Sequence, residues 1–116
     1  MDSRIRIVLT IIKESDGDVD LRLTSAAEFL GLSGPHLHRL FKRDVGMSLA
    51  SYLREARMDR AAVLLADYGL AIKSIALDCG YDDISNFYRD FRKVHGTTPR
   101  QLRNDQLLTD VIESLV

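Results

Sequence analysis

An internal repeat constrains the fold of this chain more than any other feature of its 116 residues. Three pairs of matching segments follow one another in the same order, the first pair 49 residues apart and the other two 50 residues apart. Alanine and glycine recur in any two helical hairpins, whereas a repeated string of arginine, aromatic and basic residues does not. The chain is therefore expected to contain two copies of one unit. The matching segments are Ala27-x3-Gly31 with Ala76-x3-Gly80, Leu37-x-Arg39-x-Phe41-Lys-Arg43 with Phe87-x-Arg89-x-Phe91-Arg-Lys93, and Gly46-x-Ser48 with Gly96-x-Thr98.

Apolar residues recur at helical spacing along most of the chain, and no segment shows the alternation that is typical of a strand. Glycines and capping residues divide this pattern into about seven helices. Two pairs of helices are each joined by a tight turn that contains glycine, which is the signature of a helix-turn-helix motif. We predict a helix from Ile5 that ends before Gly17, a turn over 16–20, helices over 23–30, 34–44, 48–66, 72–79 and 83–93, and a short helix from Pro99, with caps at Ser33, Ser48 and Asp82 or Asp83.

The helices over 34–44 and 83–93 each divide into an apolar stripe and a polar face that points away from it. Both polar faces contain hydrogen-bonding groups and cations. Arginine can bind the O6 and N7 atoms of guanine, and basic side chains can reach phosphates. The repeat therefore predicts two helices that each enter a major groove of double-stranded DNA, with an ordinary solvated basic surface as the alternative. The outward residues are Pro35, His38, Arg39 and Lys42 in the first helix and Ser85, Tyr88, Arg89 and Arg92 in the second.

The charge of the chain supports this prediction only in its middle part. The net charge is −1, although a nucleic-acid binder is expected to be basic. Residues 22–103 carry 13 Lys and Arg against 9 Asp and Glu, while the two flanks carry 3 against 8. A helical protein-interaction module that has lost DNA binding is therefore kept as the alternative function.

The predicted fold is all-α, with two helix-turn-helix subdomains, each a homeodomain-like three-helix unit, joined by a long connecting helix. The expected boundaries are 1–47, 48–67, 68–103 and, for an amphipathic C-terminal tail, 104–116. The connecting helix would be about 28 Å long at 1.5 Å per residue. Its length suits two recognition helices that enter successive major-groove segments, which lie roughly 34 Å apart on B-DNA.

Other functional classes find little support in the residues. The chain is too short for a large catalytic cleft, and it has no metalloprotease, phosphate-loop or serine-hydrolase pattern, so neither an enzyme nor a cofactor is expected. His36 and His38 point about 200° apart on a helix and cannot share a metal ion.

Cys79 has no cysteine partner and is expected to be a buried hydrophobic residue, with a redox sensor as the alternative. The longest apolar run has six residues, so we expect a cytoplasmic protein without a membrane partner.

The residues resemble the AraC/XylS family of bacterial transcriptional regulators. The similarity covers roughly residues 21–103, and its last part is the most distinctive signature of the family. The matching segments are SGPHLHRLFKRDVG from Ser33, YLREARMDRA from Tyr52 with Leu64-Leu65, and IALDCGY from Ile75 continued by FYRDFRKVHGTTP from Phe87.

The resemblance implies a domain of seven helices that binds promoter DNA and often contacts RNA polymerase. It also implies that family members join this domain to an effector-binding or dimerisation domain, which residues 1–116 are too short to include. Residue by residue, it implies base reading by Pro35, His38, Arg39, Ile84, Ser85, Tyr88 and Arg89, and phosphate contacts by Ser33, Lys42, Arg43, Arg92 and Lys93.

Some residues depart from the family pattern. Ala71 stands where a capping serine is usual, so the helix after it is expected to begin without a side-chain cap. Three carboxylates lie close to the second recognition helix and would repel phosphates. These carboxylates are those of Asp82, Asp83 and Asp90.

An apolar stripe follows the family match and is expected to dock on the domain, with self-association or partner contact as the alternative. The stripe consists of Leu107, Leu108, Val111, Ile112 and Leu115.

Overall fold

The computed structural model describes residues 1–116, and all of its regular secondary structure is helical. The seven helices and the all-α class predicted from the sequence are confirmed. The helices are α1 (Ser3–Glu14), α2 (Val19–Phe29), α3 (Gly34–Val45), α4 (Leu49–Leu64), α5 (Ile72–Asp78), α6 (Ile84–His95) and α7 (Pro99–Ser114).

The chain forms two compact units, Met1–Ala56 and Arg57–Val116, and the boundary between them falls inside α4. Each unit has its own hydrophobic core and one helix-turn-helix pair, α2 with α3 in the first and α5 with α6 in the second. The buried residues of the first core are Ile5, Val8, Ile12, Val19, Leu23, Leu32, Leu37, Leu40, Phe41 and Leu49, and those of the second are Met58, Ala61, Leu65, Ile75, Ala76, Cys79, Phe87 and Phe91.

Most helix limits lie within two residues of the prediction, and those of α2 and α7 differ more. Helix α1 ends at Glu14, before Gly17 as predicted. Helix α2 begins at Val19 and not near Leu23, because the buried Val19 side chain anchors its first turn to the core. Helix α7 is not short: it has 16 residues and runs through most of the predicted tail.

The C-terminal stripe is not docked on the domain, and that expectation is wrong. Its five apolar side chains on α7 and at its end are 45–81% exposed.

Helix α5 begins without a side-chain cap at Ala71, as predicted from the sequence. The backbone of this residue has the extended conformation of an N-cap, but no side chain caps the first turn of α5.

The start of α1 is tied to the end of α3 by carboxylates. Asp2 caps α1 by accepting a hydrogen bond from the backbone N–H of Arg4 at 2.8 Å. The guanidinium of Arg4 donates to the same carboxylate, and these bonds lower the pKa of Asp2 to about 2. Asp44 of α3 accepts the backbone N–H of Asp2 at 2.8 Å. The first helix thus begins at a fixed point beside the third.

The turn inside each helix-turn-helix pair has the same hydrogen bond. The backbone N–H of Leu32 donates to the carbonyl of Ala27 at 2.8 Å, and that of Tyr81 donates to the carbonyl of Ala76 at 2.9 Å. This six-residue bond closes a helix end when the residue before the donor is left-handed. Gly31 and Gly80 occupy that position, with φ of 69° and 91°. The repeat found in the sequence is therefore also a repeat of backbone conformation.

Replacement of Gly31 by alanine is expected to lower the free energy of unfolding by about 1–2 kcal/mol, because an L-residue is strained at positive φ. An added Cβ would meet no atom within 4 Å, so the backbone conformation alone accounts for the loss. Gly34 is the matched control, since its Cβ position is also open and it lies in α3 without a positive φ. Denaturant unfolding of Gly31→Ala and Gly34→Ala measures the difference. Equal stabilities of the two variants would contradict the assignment of strain to Gly31.

Candidate nucleic-acid interface

The first candidate surface lies on α3. Ser33 caps this helix by accepting the backbone N–H of His36 at 3.2 Å, and Pro35 fits the first turn, where no hydrogen-bond donor is needed. The apolar stripe of α3 is buried, so the polar face predicted from the sequence points to solvent. Exposed on this helix are the predicted contact residues Pro35, His38, Arg39, Lys42 and Arg43.

Arg43 differs from the other cations of α3, because its Nε atom lies 2.9 Å from a carboxylate oxygen of Asp44. Asp44 also accepts the backbone N–H of Asp2, and only 9% of its side chain is exposed. The ion pair raises the pKa of Arg43 and lowers that of Asp44. Because its charge is partly offset, Arg43 is less free than Lys42 to attract a phosphate.

The second candidate surface lies on α6. Asp83 caps the helix by accepting the backbone N–H groups of Ser85 at 2.8 Å and Asn86 at 3.4 Å, which decides between the two predicted caps. Tyr88 is half-buried and meets Phe87 in an edge contact with ring centroids 6.2 Å apart. The other predicted contact residues of this helix, Ile84, Ser85, Arg89, Arg92 and Lys93, are exposed.

A shallow surface cavity of about 460 Å³ lies on the second unit beside the basic part of α6. Three cations, Arg89, Arg92 and Lys93, line it with Tyr88 and Thr98. Such a cluster attracts anions, and the phosphate groups of a nucleic acid are one kind of anion that would suit it. The sequence prediction did not include Thr98, although its place in the repeat opposite Ser48 was a signal for it.

The carboxylates around α6 are held in different ways. Asp83 is engaged by its cap bonds. Asp90 accepts a hydrogen bond from the hydroxyl of Tyr81 at 2.7 Å, and its side chain is 16% exposed, whereas that of Arg89 is 69% exposed. One oxygen of Asp90 is thus bonded to the turn before α6, while the other lies 3.4 Å from the Nε atom of Arg89. Asp82 and Asp83 are both exposed and keep their charge, so the expected repulsion of phosphates rests mainly on these two residues.

The bond between Tyr81 and Asp90 connects the turn of the second motif to the middle of its recognition helix. Sequence reasoning missed this pair, because nine positions separate the residues and no motif joins them. The ring of Tyr81 also makes an edge contact with Phe87, with centroids 5.5 Å apart. Together these contacts fix the direction in which α6 leaves the turn.

A double-mutant cycle with Tyr81→Phe and Asp90→Ala is expected to give a coupling free energy of about 1.5–3 kcal/mol, typical of a hydrogen bond to a charged group. Asp90→Asn is the control, because an amide oxygen still accepts the hydroxyl proton. Chemical unfolding of the four proteins of the cycle measures the coupling. Additive effects of the two substitutions would show that the bond contributes nothing.

The single cysteine lies in the second core and is buried. Burial raises the pKa of the Cys79 thiol to about 11. Because the thiolate is the reactive form of cysteine, a thiol with this pKa is almost entirely unreactive near neutral pH. The interpretation of Cys79 as a packing residue is therefore favoured over that of a redox sensor.

Modification of Cys79 by Ellman's reagent at pH 8 is expected to be at least about 100-fold slower in the folded chain than in the chain unfolded by guanidinium, because folding both buries the thiol and raises its pKa. The absorbance of the released thiolate follows the reaction. Similar rates in the two states would support a reactive, sensor-like cysteine.

Other ligand classes find no site in the structure. It contains no group of three or more His, Cys, Asp and Glu side chains that could hold a metal ion. None of its helices is long and apolar enough to cross a membrane. The exposed polar faces of α3 and α6 are the two candidate surfaces.

Comparison with known proteins identifies the fold. A family model described as "Helix-turn-helix domain" matches residues 26–105. The chain is 31% identical over 103 residues to the arabinose operon regulatory protein of Salmonella typhimurium and 30% identical over 103 residues to that of Escherichia coli. Each alignment covers 89% of this chain but only 37% and 35% of the relatives, so the chain spans about a third of their length.

Two solved structures extend this likeness. The C-terminal domain of AraT, a response regulator from Geobacillus stearothermophilus, superposes with a TM-score of 0.80 at 36% identity, covering 90% of this chain and 86% of that one. The C-terminal domain of the two-component response regulator yesN from Fusobacterium nucleatum gives a TM-score of 0.77 at 32% identity, covering 88% and 99%. With two helix-turn-helix motifs, these matches and the signature after Ile75, the chain belongs to the AraC-type helix-turn-helix family of DNA-binding domains.

Proposed function

We propose that residues 1–116 bind double-stranded DNA in a sequence-specific way, as the DNA-binding part of a bacterial transcriptional regulator. The observation that carries this proposal is the pair of exposed polar faces on α3 and α6, which repeat one pattern at an offset of 50 residues. A solvated surface without function has no reason to present arginine and further cations at matching positions on two capped helices. Each helix then enters one major-groove segment.

Arg39 and Arg89 are the proposed anchors of the two helices. Both side chains are exposed, and a guanidinium can bind guanine through two parallel hydrogen bonds. The proposed base-reading residues are Pro35, His38, Arg39, Ile84, Ser85, Tyr88 and Arg89. The proposed phosphate contacts are Ser33, Lys42, Arg43, Arg92 and Lys93.

The two halves of this interface differ in strength. On α3, Arg39 has no carboxylate beside it in the sequence, whereas the Nε atom of Arg89 lies 3.4 Å from Asp90. That contact is long for a hydrogen bond and leaves the guanidinium end exposed. The second helix therefore keeps its anchor, and its weakness comes chiefly from the exposed carboxylates of Asp82 and Asp83.

The proposed partners are promoter DNA and RNA polymerase. The relatives are named as operon regulatory proteins, which supports a role at promoters. Because the chain spans about a third of their length, effector binding or dimerisation by a separate domain is proposed for protein outside residues 1–116. DNA binding also implies an action in the cytoplasm, where the bacterial chromosome lies.

Replacement of Arg39 by alanine is expected to weaken binding to a selected target duplex by about 1–3 kcal/mol and to relax specificity at one base position. Lys42→Ala is expected to weaken binding to all duplexes equally and to reduce the slope of log K against log salt by about 1. Fluorescence anisotropy with a duplex obtained by in vitro selection, titrated at two salt concentrations, measures both effects.

Arg6→Ala is the matched control, because Arg6 is an exposed cation on α1 outside both polar faces. Its binding should stay close to that of the parent chain. Unchanged affinity in the Arg39 and Lys42 variants would remove α3 from the interface. Binding that is weak and independent of salt would instead favour the alternative of a protein-interaction module.

A further inference from the structure

Helix α7 presents an apolar stripe that no part of its own unit covers. The stripe consists of five large side chains that are 45–81% exposed, a concentration that scattered surface hydrophobics do not reach. The stripe residues are Leu107, Leu108, Val111, Ile112 and Leu115.

The opposite side of α7 holds the helix to the second unit. Arg103 donates hydrogen bonds to the carbonyl oxygens of Leu65 at 3.2 Å and Asp67 at 3.1 Å. Farther along the helix, Asp110 accepts the hydroxyl proton of Tyr68. Arg103 and Asp110 lie about 140–160° around the helix from Leu108, since each residue advances it by about 100°. The stripe is therefore fixed in an outward direction.

The spacing along this outward side is that of a coiled coil. Positions 101, 104, 108 and 111 of α7 alternate steps of three and four residues, and its C-cap residue at 115 continues the pattern, which is that of the seam of a two-stranded coiled coil. The first two are polar, Gln101 and Asn104, and the last three are Leu108, Val111 and Leu115. Polar residues in a seam weaken the pair but fix its register.

The residues that flank the seam indicate which helix would pack against α7. With Gln101 and Leu108 at the a positions, Arg100 is a g residue and Asp105 is the e residue five places later. In a parallel pair, a g residue of one helix faces the following e residue of the other, so Arg100 of each chain would meet Asp105 of its partner. The next such pair joins Leu107 to Ile112, which is apolar on both sides. Both flanking pairs are complementary when the second helix is another copy of α7.

We propose that α7 forms a parallel, two-stranded coiled coil with α7 of a second copy of this chain. An antiparallel pair is disfavoured, because with the apolar layers in register it places Asp105 opposite Ile112 and leaves Arg100 beyond the overlap. Two heptads give only a small buried surface, so the association is a weak equilibrium between monomer and dimer. The stripe shares no residue with the polar faces of α3 and α6, and the proposal does not depend on DNA binding.

Sedimentation equilibrium of the 116-residue chain without DNA tests the proposal. The weight-average mass is expected to rise above 13.1 kDa with concentration and to fit a monomer–dimer model. The double variant Leu108→Glu, Val111→Glu should stay monomeric, because it places charges in the seam. Leu77→Glu is the matched control, since Leu77 is 54% exposed on α5, and it should associate like the parent chain. Circular dichroism checks that each variant keeps its helices.

Exchanging the charges at positions 100 and 105 tests whether the two α7 helices are parallel. Arg100→Glu and Asp105→Arg should each weaken the dimer by about 3- to 10-fold, because each places like charges opposite one another twice in the dimer. The variant with both changes should return to within about 2-fold of the parent association constant. Failure of this rescue would overturn the parallel arrangement.

Two results would overturn the proposal as a whole. One is a parent chain that remains monomeric up to about 1 mM, where even a weak pair is populated. The other is a dimer whose stability is the same in the parent chain and in the variant with Leu108 and Val111 replaced, which would move the contact to another surface.

Discussion

The closed turn between the two helices of each motif is the constraint on which the rest of the structure depends. A hydrogen bond from Leu32 to Ala27 in the first motif, and from Tyr81 to Ala76 in the second, requires a left-handed residue before the donor. Glycine supplies that conformation at low cost. The turn sets the direction of the following helix, and this direction decides which of its faces is buried and which faces solvent.

Helices and faces could be predicted from the sequence because they depend on local spacing. The apolar stripes of α3 and α6 recur at helical intervals, so their exposed faces follow without knowledge of the partner elements. The start of α2 could not be predicted in this way. Acidic residues and a glycine precede it and are typical of a turn, and only the burial of Val19 in the assembled core extends the helix.

The electrostatic details of the candidate interface depend on contacts that local patterns do not contain. Asp44 lies 42 positions from Asp2, yet their bond shapes the surroundings of Arg43. Asp90 stands next to Arg89 in the sequence and lies 3.4 Å from its Nε atom, but it also accepts the hydroxyl proton of Tyr81, nine positions away. Asp83 and Asp90 therefore each combine a structural role with their negative charge, which their positions in the sequence do not reveal.

Each motif has a hydrophobic core of its own, and this separation has an evolutionary consequence. The buried residues of the two cores form separate clusters, so the two copies of the repeat can carry different residues at the same repeat position. Leu40 and Asp90 are an example, because this position is a buried leucine in one copy and a carboxylate bonded to tyrosine in the other. Either copy of the repeat can therefore change without a matching change in the other.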